Sequence, residues 1–377
     1  MKRSYAMRVI ALSAAIGTNA VGHAAEAPAD MGISLRWSQL PALPDREGFA
    51  GMYAGVSGGA LIVAGGANFP DKRPWEGGQK HWYDTIYVLS QPDGTWQIAE
   101  AKLPRPMAYG AAVSHGDRVI CIGGSDAEAH YADVFAMRWD GQSVTITALP
   151  PLPEPSAHLC AAVVGDILFV AGGASSPAAT QALHIFYAMD LSAPAQQLQW
   201  QSLEPWPGPD RQQAVAAAYN GSFYLFSGIR LTANTEGKPW PVAPYLSDAY
   251  RYTPDTDGMT GTWQRIADLP RPVGAAPSPA MVIAEHGLVI FGGLDGSTLN
   301  ADPRHYPPFP RDVLAYDAAR DAWSLLNPMP PDTSRLTAPA VEWHGGQVIV
   351  NGEIAPGRRS PAIFWVKPTS QANGALP

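Results

Sequence analysis

A short apolar run ends on a glycine pair in the stretch Leu61-Ile62-Val63-Ala64-Gly65-Gly66. The pattern recurs in full at three later sites, Val119-Ile120-Cys121-Ile122-Gly123-Gly124, Leu168-Phe169-Val170-Ala171-Gly172-Gly173 and Leu288-Val289-Ile290-Phe291-Gly292-Gly293. Two weaker copies keep a single glycine, at Tyr224-Leu225-Phe226-Ser227-Gly228 and Val348-Ile349-Val350-Asn351-Gly352. The six copies lie about 50 to 65 residues apart, a spacing typical of kelch-type repeats. The sequence therefore predicts one structural unit repeated six times.

An aromatic strand and then a tryptophan follow most of these glycine sites. Examples are Tyr83-Asp84-Thr85-Ile86-Tyr87 before Trp96, and Asp248-Ala249-Tyr250 before Trp263. Proline-marked turns come next, such as Leu103-Pro104-Arg105-Pro106. Glycine pairs let neighbouring backbones approach closely, and aromatic side chains fill the space between stacked sheets. Each unit is therefore predicted to be a four-stranded propeller blade.

The two ends of the repeat array complement each other. The last glycine site is followed by Phe364 and Trp365 but by no Leu-Pro turn, whereas Leu35-Arg36-Trp37-Ser38-Gln39-Leu40-Pro41 supplies an unpaired fourth strand. We therefore predict an all-β protein, a six-bladed kelch-type β-propeller over residues 31–368, with its last blade closed by the N-terminal strand. Residues 369–377 are predicted to be a C-terminal tail. An open β-solenoid or two sandwiches are the alternative architectures.

Composition agrees with this fold class. Of 377 residues, 46% are hydrophobic and 15% charged, and the 37 glycines and 37 prolines favour short strands and tight turns over long helices. The net charge is -8, and the 25 basic residues are scattered along the chain. We therefore expect no nucleic-acid partner.

The N-terminus has the features of an export signal. Lys2, Arg3 and Arg8 precede a mostly apolar run, and small residues around Ala25 offer cleavage positions. We predict a signal peptide over residues 1–25, no later membrane span, and a periplasmic location. Cys121 and Cys160 lie in apolar runs, which favours buried free thiols over a disulfide.

Blade geometry brings two sets of loops to one mouth of the channel. Segments before each first strand and segments after each glycine site emerge on the same face, where a concave site is expected. The substrate-binding candidates in these segments are Arg105, His158, Arg211, Arg271 and Arg335 from the first set, and Asn68 and Arg358 from the second. So many arginines at one rim favour an anionic ligand, although arginine also suits ordinary exposed turns.

The copy Asn351-Gly352-Glu353 departs from the other five. It places a carboxylate directly after the glycine, with Arg358 and Arg359 a short loop later. A carboxylate beside guanidinium groups can keep its charge near neutral pH and accept a proton. An ordinary turn ion pair is the alternative interpretation.

Three segments resemble the N-acetylneuraminate epimerase (sialic acid mutarotase) family, in particular its cyclically permuted mutarotases. They are Asn351-Gly352-Glu353-Ile354-Ala355-Pro356-Gly357-Arg358-Arg359, the region from Gly65-Gly66-Ala67-Asn68-Phe69-Pro70 to Trp82-Tyr83-Asp84, and Gly208-Pro209-Asp210-Arg211-Gln212-Gln213-Ala214. In the bacterial epimerase the Asn-Gly-Glu segment lies mid-chain, so the blade order is rotated here.

The resemblance implies a six-bladed propeller that interconverts the α and β anomers of N-acetylneuraminate or a related keto sugar acid by general acid/base ring opening. It makes Glu353 the proton acceptor and Arg359 the family arginine, which are the two catalytic candidates; Arg358 is an addition. Arg359, with Arg211 second, would bind the sugar carboxylate, and His158 would protonate the ring oxygen. The reaction needs no metal or cofactor, and the sequence leaves the oligomeric state open.

Other functions fit the sequence less well. A sialidase would repeat Ser-x-Asp-x-Gly-x-Thr-Trp boxes, whereas the nearest stretch, Ser90-Gln91-Pro92-Asp93-Gly94-Thr95-Trp96, is one residue short and occurs once. A copper oxidase needs a Cys, Tyr and His ligand set, and both cysteines lie in predicted strands. The main alternative is a non-catalytic kelch propeller that binds a glycan or protein through its channel-mouth loops.

Overall fold

Six four-stranded antiparallel sheets surround a channel in the computed structural model, which describes residues 32–232 and 244–370. The first strand of each sheet is the innermost, and these strands contact one another from blade to blade. From the channel outward, the strands are Tyr53–Ser57, Ala60–Ala64, Thr85–Leu89 and Gln97–Lys102 in blade 1; Ala111–His115, Arg118–Ile122, Val134–Trp139 and Val144–Leu149 in blade 2; Cys160–Val164, Ile167–Ala171, Phe186–Asp190 and Gln201–Ser202 in blade 3; Val215–Tyr219, Ser222–Ile229, Tyr245–Pro254 and Gly261–Ile266 in blade 4; Met281–Ile283, Gly287–Phe291, Val313–Asp317 and Ala322–Leu326 in blade 5; and Ala340–Trp343, Gly346–Val350, Ile363–Ser370 and Ile33–Leu40 in blade 6. The predicted six-bladed propeller is confirmed.

The N-terminal strand closes the last blade, as predicted. Ile33–Leu40 pairs antiparallel with Ile363–Ser370 over its whole length, and the side-chain oxygens of Ser34 and Thr369 lie 2.6 Å apart. The strand runs through residues 369 and 370, so the tail predicted over 369–377 starts too early. Residues 371–377 and the predicted signal peptide, 1–25, lie outside the described residues.

The core lies between the blades. One apolar cluster fills each of the six interfaces, and the cluster containing Leu61 and Trp343 joins blade 1 to blade 6. Indole N–H groups also tie neighbouring blades together, donating at 2.8–2.9 Å from Trp96 to the carbonyl of Pro41, from Trp200 to Pro150, from Trp263 to Glu204 and from Trp323 to Ala267. The recurring tryptophans therefore pack between sheets, as the sequence predicts.

The glycine pairs bring each second strand close to the next blade. Gly123 has φ of +60°, and a Cβ atom there would lie 2.2 Å from the carbonyl oxygen of Ser156. Only glycine adopts this backbone without strain and leaves room for that carbonyl. The pairs therefore fix the spacing between the strand end and the following interblade segment.

Short additional elements lie in the connections between the blade strands. The described residues include three 3-10 turns, Pro74–Glu76, Ala195–Gln197 and Pro303–His305, and two ribbons, Ala67–Asn68 with His81–Trp82 and Glu353–Ala355 with Arg358–Arg359. We call the second ribbon the site hairpin. None of the helical turns in these ranges has the length or apolar character needed to cross a bilayer.

Both cysteines are buried and free, in agreement with the sequence prediction. Burial raises the pKa of the Cys160 thiol to about 12 and raises that of Cys121 well above its ordinary value. Neither thiol is therefore ionised near neutral pH.

Candidate active site

A ring of left-handed residues surrounds the channel mouth. One residue per blade, a few positions before the innermost strand, has a φ between +49° and +67°: Gly51, Tyr109, His158, Gln213, Ala275 and Thr337. Each backbone N–H donates to the carbonyl of the equivalent residue in the preceding blade, at 2.7–3.1 Å, and Gly51 donates to Thr337. Six hydrogen bonds thus form a closed circle, which we call the mouth ring.

The mouth ring carries backbone strain in a fixed geometry. Five of its members are not glycine, and Thr337 is β-branched, a side-chain type that rarely adopts positive φ. Such conformations persist where the surrounding structure enforces them, and they cluster at functional sites. A narrow cavity at the ring is lined by the ring members and by small residues such as Ala111, Ala161 and Ala276.

Glu353 lies directly beside this ring. In every blade the residue before the ring member forms a β-bridge with the residue directly after the glycine site; the pairs are Ala50–Ala67, Ala108–Ser125, Ala157–Ala174, Gln212–Ile229, Gly274–Leu294 and Leu336–Glu353. The predicted convergence of the two loop sets is confirmed by these bridges. Five of the six equivalent positions carry Ala, Ser, Ile or Leu, and Glu353 alone among them is charged.

The site hairpin joins Glu353 to Arg359. Nη2 of Arg359 lies 2.5 Å from Oε1 of Glu353, and the arginine side chain is 2% exposed against 22% for the glutamate. Burial acts to lower the pKa of Arg359, but the Glu353 carboxylate and Tyr109 outweigh it, and the pKa is raised. The guanidinium carbon lies 5.0 Å from the centre of the Phe69 ring, and Nε and Nη1 have no hydrogen-bond partner among the described residues.

Lys80, Tyr109 and His158 continue the site along the mouth. Nζ of Lys80 lies 3.2 Å from Oη of Tyr109, whose ring centre is 4.9 Å from that of His158. Burial, together with the nearby His130 and Lys80, lowers the pKa of His158 to about 3. The imidazole is therefore neutral at physiological pH and a poor proton donor, which argues against the role of ring-oxygen acid expected for His158.

Most of the predicted rim arginines are paired within their own blades. The guanidinium groups of Arg105, Arg211 and Arg271 lie 3.3, 2.7 and 2.6 Å from Asp133, Asp248 and Asp312, which come just before or at the start of the third strand. Arg211 is 0% exposed and also donates to the carbonyl of Ser227. These arginines hold the blade edges, and a ligand would have to compete for them with the paired carboxylates.

Arg335 is likewise buried. Its guanidinium donates to the carbonyls of Asp332 and Ser334 and to Oγ of Ser360, and burial lowers its pKa to about 10. Its guanidinium is inaccessible to solvent and forms its hydrogen bonds with the surrounding loops. Arg335 therefore contributes to packing rather than to the open mouth.

The two candidates from the second loop set also differ from expectation. Asn68 is buried, donates to the carbonyl of Gly48 and accepts from the hydroxyl of Tyr83, so its amide is engaged in structure. Arg358 is exposed, and strand alternation points its side chain away from that of Arg359. Of the nine residues predicted for the site, the structure brings Glu353, Arg359 and His158 together at the mouth.

Sequence reasoning missed Tyr109, Lys80 and Phe69. Tyr109 occupies the same position before an innermost strand as His158, so an alignment of the six units on their first strands would have found it. Lys80 and Phe69 lie in the segment between Asn68 and His81, and Phe69 packs across to Arg359 of the site hairpin. No local pattern reveals that contact.

The assembled groups suit proton transfer on a bound anion. They offer a partly exposed carboxylate, a phenol, an ammonium group and a covered guanidinium. In residues 32–232 and 244–370, no three His, Cys, Asp or Glu side chains are grouped as metal ligands. The fold and this mouth define the class: a six-bladed kelch-type propeller with a candidate acid/base site at one end of its channel.

The particular family follows from sequence comparison. The sequence profile of the N-acetylneuraminate epimerase family matches residues 23–146 and 149–302, well over half of the chain. The chain belongs to this family. The site hairpin lies beyond the matched ranges, so the profile itself says nothing of Glu353 or Arg359.

Individual relatives carry the same name over shorter stretches. The N-acetylneuraminate epimerase of Yersinia enterocolitica is 40% identical over 127 residues, 29% of this chain and 31% of that protein. That of Brucella suis is 37% identical over 129 residues, 30% and 32% of the two chains, and that of Salmonella typhi 42% over 106 residues, 25% and 27%. The aligned part of the chain thus spans about a third of these relatives' length or less.

The fold has a solved counterpart. The structure of YjhT aligns with a TM-score of 0.64 at 15% identity, covering 89% of this chain and 98% of YjhT. At this identity the likeness concerns the fold alone. It supports the propeller architecture over nearly the whole described chain.

Proposed function

We propose that this protein is a mutarotase that interconverts the α and β anomers of N-acetylneuraminate or a related keto sugar acid. One observation carries the proposal: of six equivalent positions beside the mouth ring, only that of Glu353 bears a carboxylate, and Arg359 holds it there. The name shared by the family and the relatives above supports the choice of substrate class.

Glu353 is the general base in this proposal. It takes the proton of the anomeric hydroxyl, the bond between the anomeric carbon and the ring oxygen breaks, and the ring oxygen takes up a proton. Rotation beside the new carbonyl group exposes its other face, and the reverse steps close the ring as the other anomer. A positioned general base contributes about 10²- to 10⁴-fold to such a rate.

Tyr109 replaces His158 as the proton donor to the ring oxygen. The His158 imidazole is neutral and its Nδ1 lies 3.4 Å from the Gln213 amide nitrogen, whereas a phenol hydroxyl is a proton donor. The nearby Arg359 guanidinium stabilises the negative charge on Tyr109 while the ring is open. Ring closure returns each proton to the group that gave it.

Arg359 positions the base in the mechanism. It orients the Glu353 carboxylate through the 2.5 Å ion pair. Its Nε and Nη1 are buried beneath the Phe69 ring, which keeps the sugar carboxylate away from them. The base therefore acts from a fixed position.

We further propose that the chain is exported to the periplasm with removal of a signal peptide near residue 25. The positive and then apolar N-terminal sequence supports this. N-terminal sequencing of the protein recovered from a periplasmic fraction tests it. A mature chain that still begins at Met1 would overturn the proposal.

Proton NMR of freshly released α-N-acetylneuraminate tests the activity. We expect the β anomer to form faster with the purified protein than in buffer, in proportion to enzyme concentration. Absence of acceleration, with saturable binding of the same sugar in calorimetry, would instead support the non-catalytic propeller.

A further inference from the structure

The positive charges at the mouth are unequally available. Arg359 is covered by Phe69, while Arg105, Arg211 and Arg271 are paired and Arg335 is buried. Arg358 is exposed and points away from Arg359. Arg73 lies near the site hairpin but bonds to Glu47 at 2.9 Å. An incoming anion at the mouth therefore meets few cations that lack a partner.

Lys80 is such a cation. Its side chain is half-buried at the mouth, and among the described residues no carboxylate lies within ion-pair distance of it. The neighbouring Glu353 is matched by Arg359, so this pair is neutral as a unit. The Lys80 ammonium thus supplies, beside Tyr109, a positive charge that no carboxylate among the described residues neutralises by an ion pair, which suits an anionic ligand.

Aromatic rings hold Lys80 in place. Its Nζ lies 4.9 Å from the ring centre of Tyr109, 5.5 Å from that of Trp82 and 5.8 Å from that of Phe69. Cation–π contacts and the hydrogen bond to Tyr109 restrict a side chain that is otherwise flexible. A pre-positioned cation binds an anion without the entropic cost of ordering the lysine.

The same contacts place Lys80 next to the reacting groups. Phe69 packs against both the Lys80 ammonium and the Arg359 guanidinium, and Tyr109 contacts both Lys80 and His158. An anion held by Lys80 would therefore lie beside Tyr109, which also interacts with Arg359.

We propose that Lys80 is the specificity-determining residue that binds the carboxylate of the sugar acid and selects acidic over neutral keto sugars. This inference rests on the proposed function. The ammonium donates a charge-assisted hydrogen bond to the sugar carboxylate from the segment between Asn68 and His81, while Glu353 acts on the anomeric hydroxyl.

The test compares Lys80→Met with wild type on two ligands, N-acetylneuraminate and its C1 methyl ester, which lacks the negative charge. Losing one charge-assisted hydrogen bond should raise KM for the acid about 10- to 100-fold and leave kcat within a few-fold. The ester lacks the charge that Lys80 binds, so both proteins should convert it poorly. Because Lys80→Met also binds the acid weakly, the variant should lose the preference for the acid over the ester. Lys102→Met, on the outer strand of blade 1 where Nζ bonds to Thr85, is the matched control and should behave as wild type.

Each other outcome has a definite meaning. A fall in kcat with KM and the acid preference unchanged would show that Lys80 acts only through Tyr109 and would overturn the proposal. Unchanged kinetics would also overturn it. If wild type binds N-acetylneuraminate in calorimetry without accelerating mutarotation, the proposed function fails, yet a 10-fold weaker Kd for Lys80→Met would still uphold recognition by Lys80. Absence of both binding and turnover would overturn both proposals.

Discussion

The backbone N–H of Gly51 donates to the carbonyl of Thr337 at 2.7 Å, and this bond joins the first blade to the last at the channel mouth. Gly51 has φ of +67°, and a Cβ atom there would lie 2.5 Å from Cδ1 and 2.8 Å from the backbone nitrogen of Tyr109. The smallest member of the mouth ring therefore makes room for the tyrosine that we assign as proton donor.

Gly51→Ala should lower both stability and activity. The substitution adds strain at positive φ, at least about 1 kcal/mol, and also displaces Tyr109. Gly59→Ala is the matched control, because Gly59 has φ of +75° with open space around the added methyl group. Urea unfolding should show a larger loss for Gly51→Ala than for Gly59→Ala, and mutarotation should slow in the first variant alone. Equal losses would show that the ring tolerates the methyl group.

Glu353→Gln should abolish most of the activity while the protein stays folded. The amide keeps the size of the side chain but cannot accept a proton, so the rate should fall at least about 10²-fold. Proton NMR of α-N-acetylneuraminate measures the rate. Glu154→Gln, which alters a carboxylate bonded to Tyr187 in blade 3, should retain full activity. A Glu353→Gln variant with the wild-type rate would remove Glu353 from the mechanism.

Arg211→Met and Arg105→Met should differ in stability although both arginines form equivalent pairs. Removing Arg211 leaves the Asp248 carboxylate buried without a counter-charge, which costs about 3 kcal/mol or more. Arg105 is 43% exposed, so losing its pair with Asp133 should cost less than about 1 kcal/mol. Denaturant unfolding at neutral pH measures both. Similar losses would contradict the assignment of Arg211 to the packed interior.

His158 should make stability depend on pH. Because its pKa is about 3 in the folded protein, against about 6.5 unfolded, the unfolded chain takes up a proton that the folded one does not. This contribution is fully present above about pH 6.5 and falls on acidification toward pH 3, by at most about 1.4 kcal/mol per pH unit.

His158→Asn should flatten that dependence, since asparagine tolerates the positive φ of this position and does not titrate. Unfolding free energies at pH 7.5, 6 and 5 test it. His344→Asn changes an exposed histidine with the same backbone conformation and should leave the pH dependence as in wild type. A His158→Asn curve parallel to that of wild type would show that this imidazole is not held neutral.

The blades could be predicted from the sequence because the glycine and tryptophan positions that identify them are local and repeated. Gly123 and Trp96 have counterparts with the same task in most copies, so residue type and spacing suffice. The pairing of Arg105 with Asp133 could not be foreseen, since its partners lie 28 residues apart on different loops. The mouth ring was missed for another reason. Its members share a backbone conformation rather than a residue type, and Tyr109, Gln213 and Ala275 have no common side-chain chemistry.

Lys80 escaped prediction because its setting depends on closure of the propeller. The segment between Asn68 and His81 belongs to blade 1, whereas Arg359 belongs to blade 6. Phe69 of this segment contacts Arg359 only because the first and last blades are neighbours. Glu353, by contrast, could be predicted from the sequence, because it places a charged side chain where the other five repeats have an uncharged one.

Pairing between strands Ile33–Leu40 and Ile363–Ser370 also sets the order in which the molecule can mature. Ser34 and Thr369 are 335 residues apart, so the first of these strands leaves the ribosome long before its partner exists. Glu353 and Arg359 emerge just before the strand that completes the circle. A chain that stops before residue 353 therefore has neither member of the Glu353–Arg359 pair and cannot complete the sheet of blade 6.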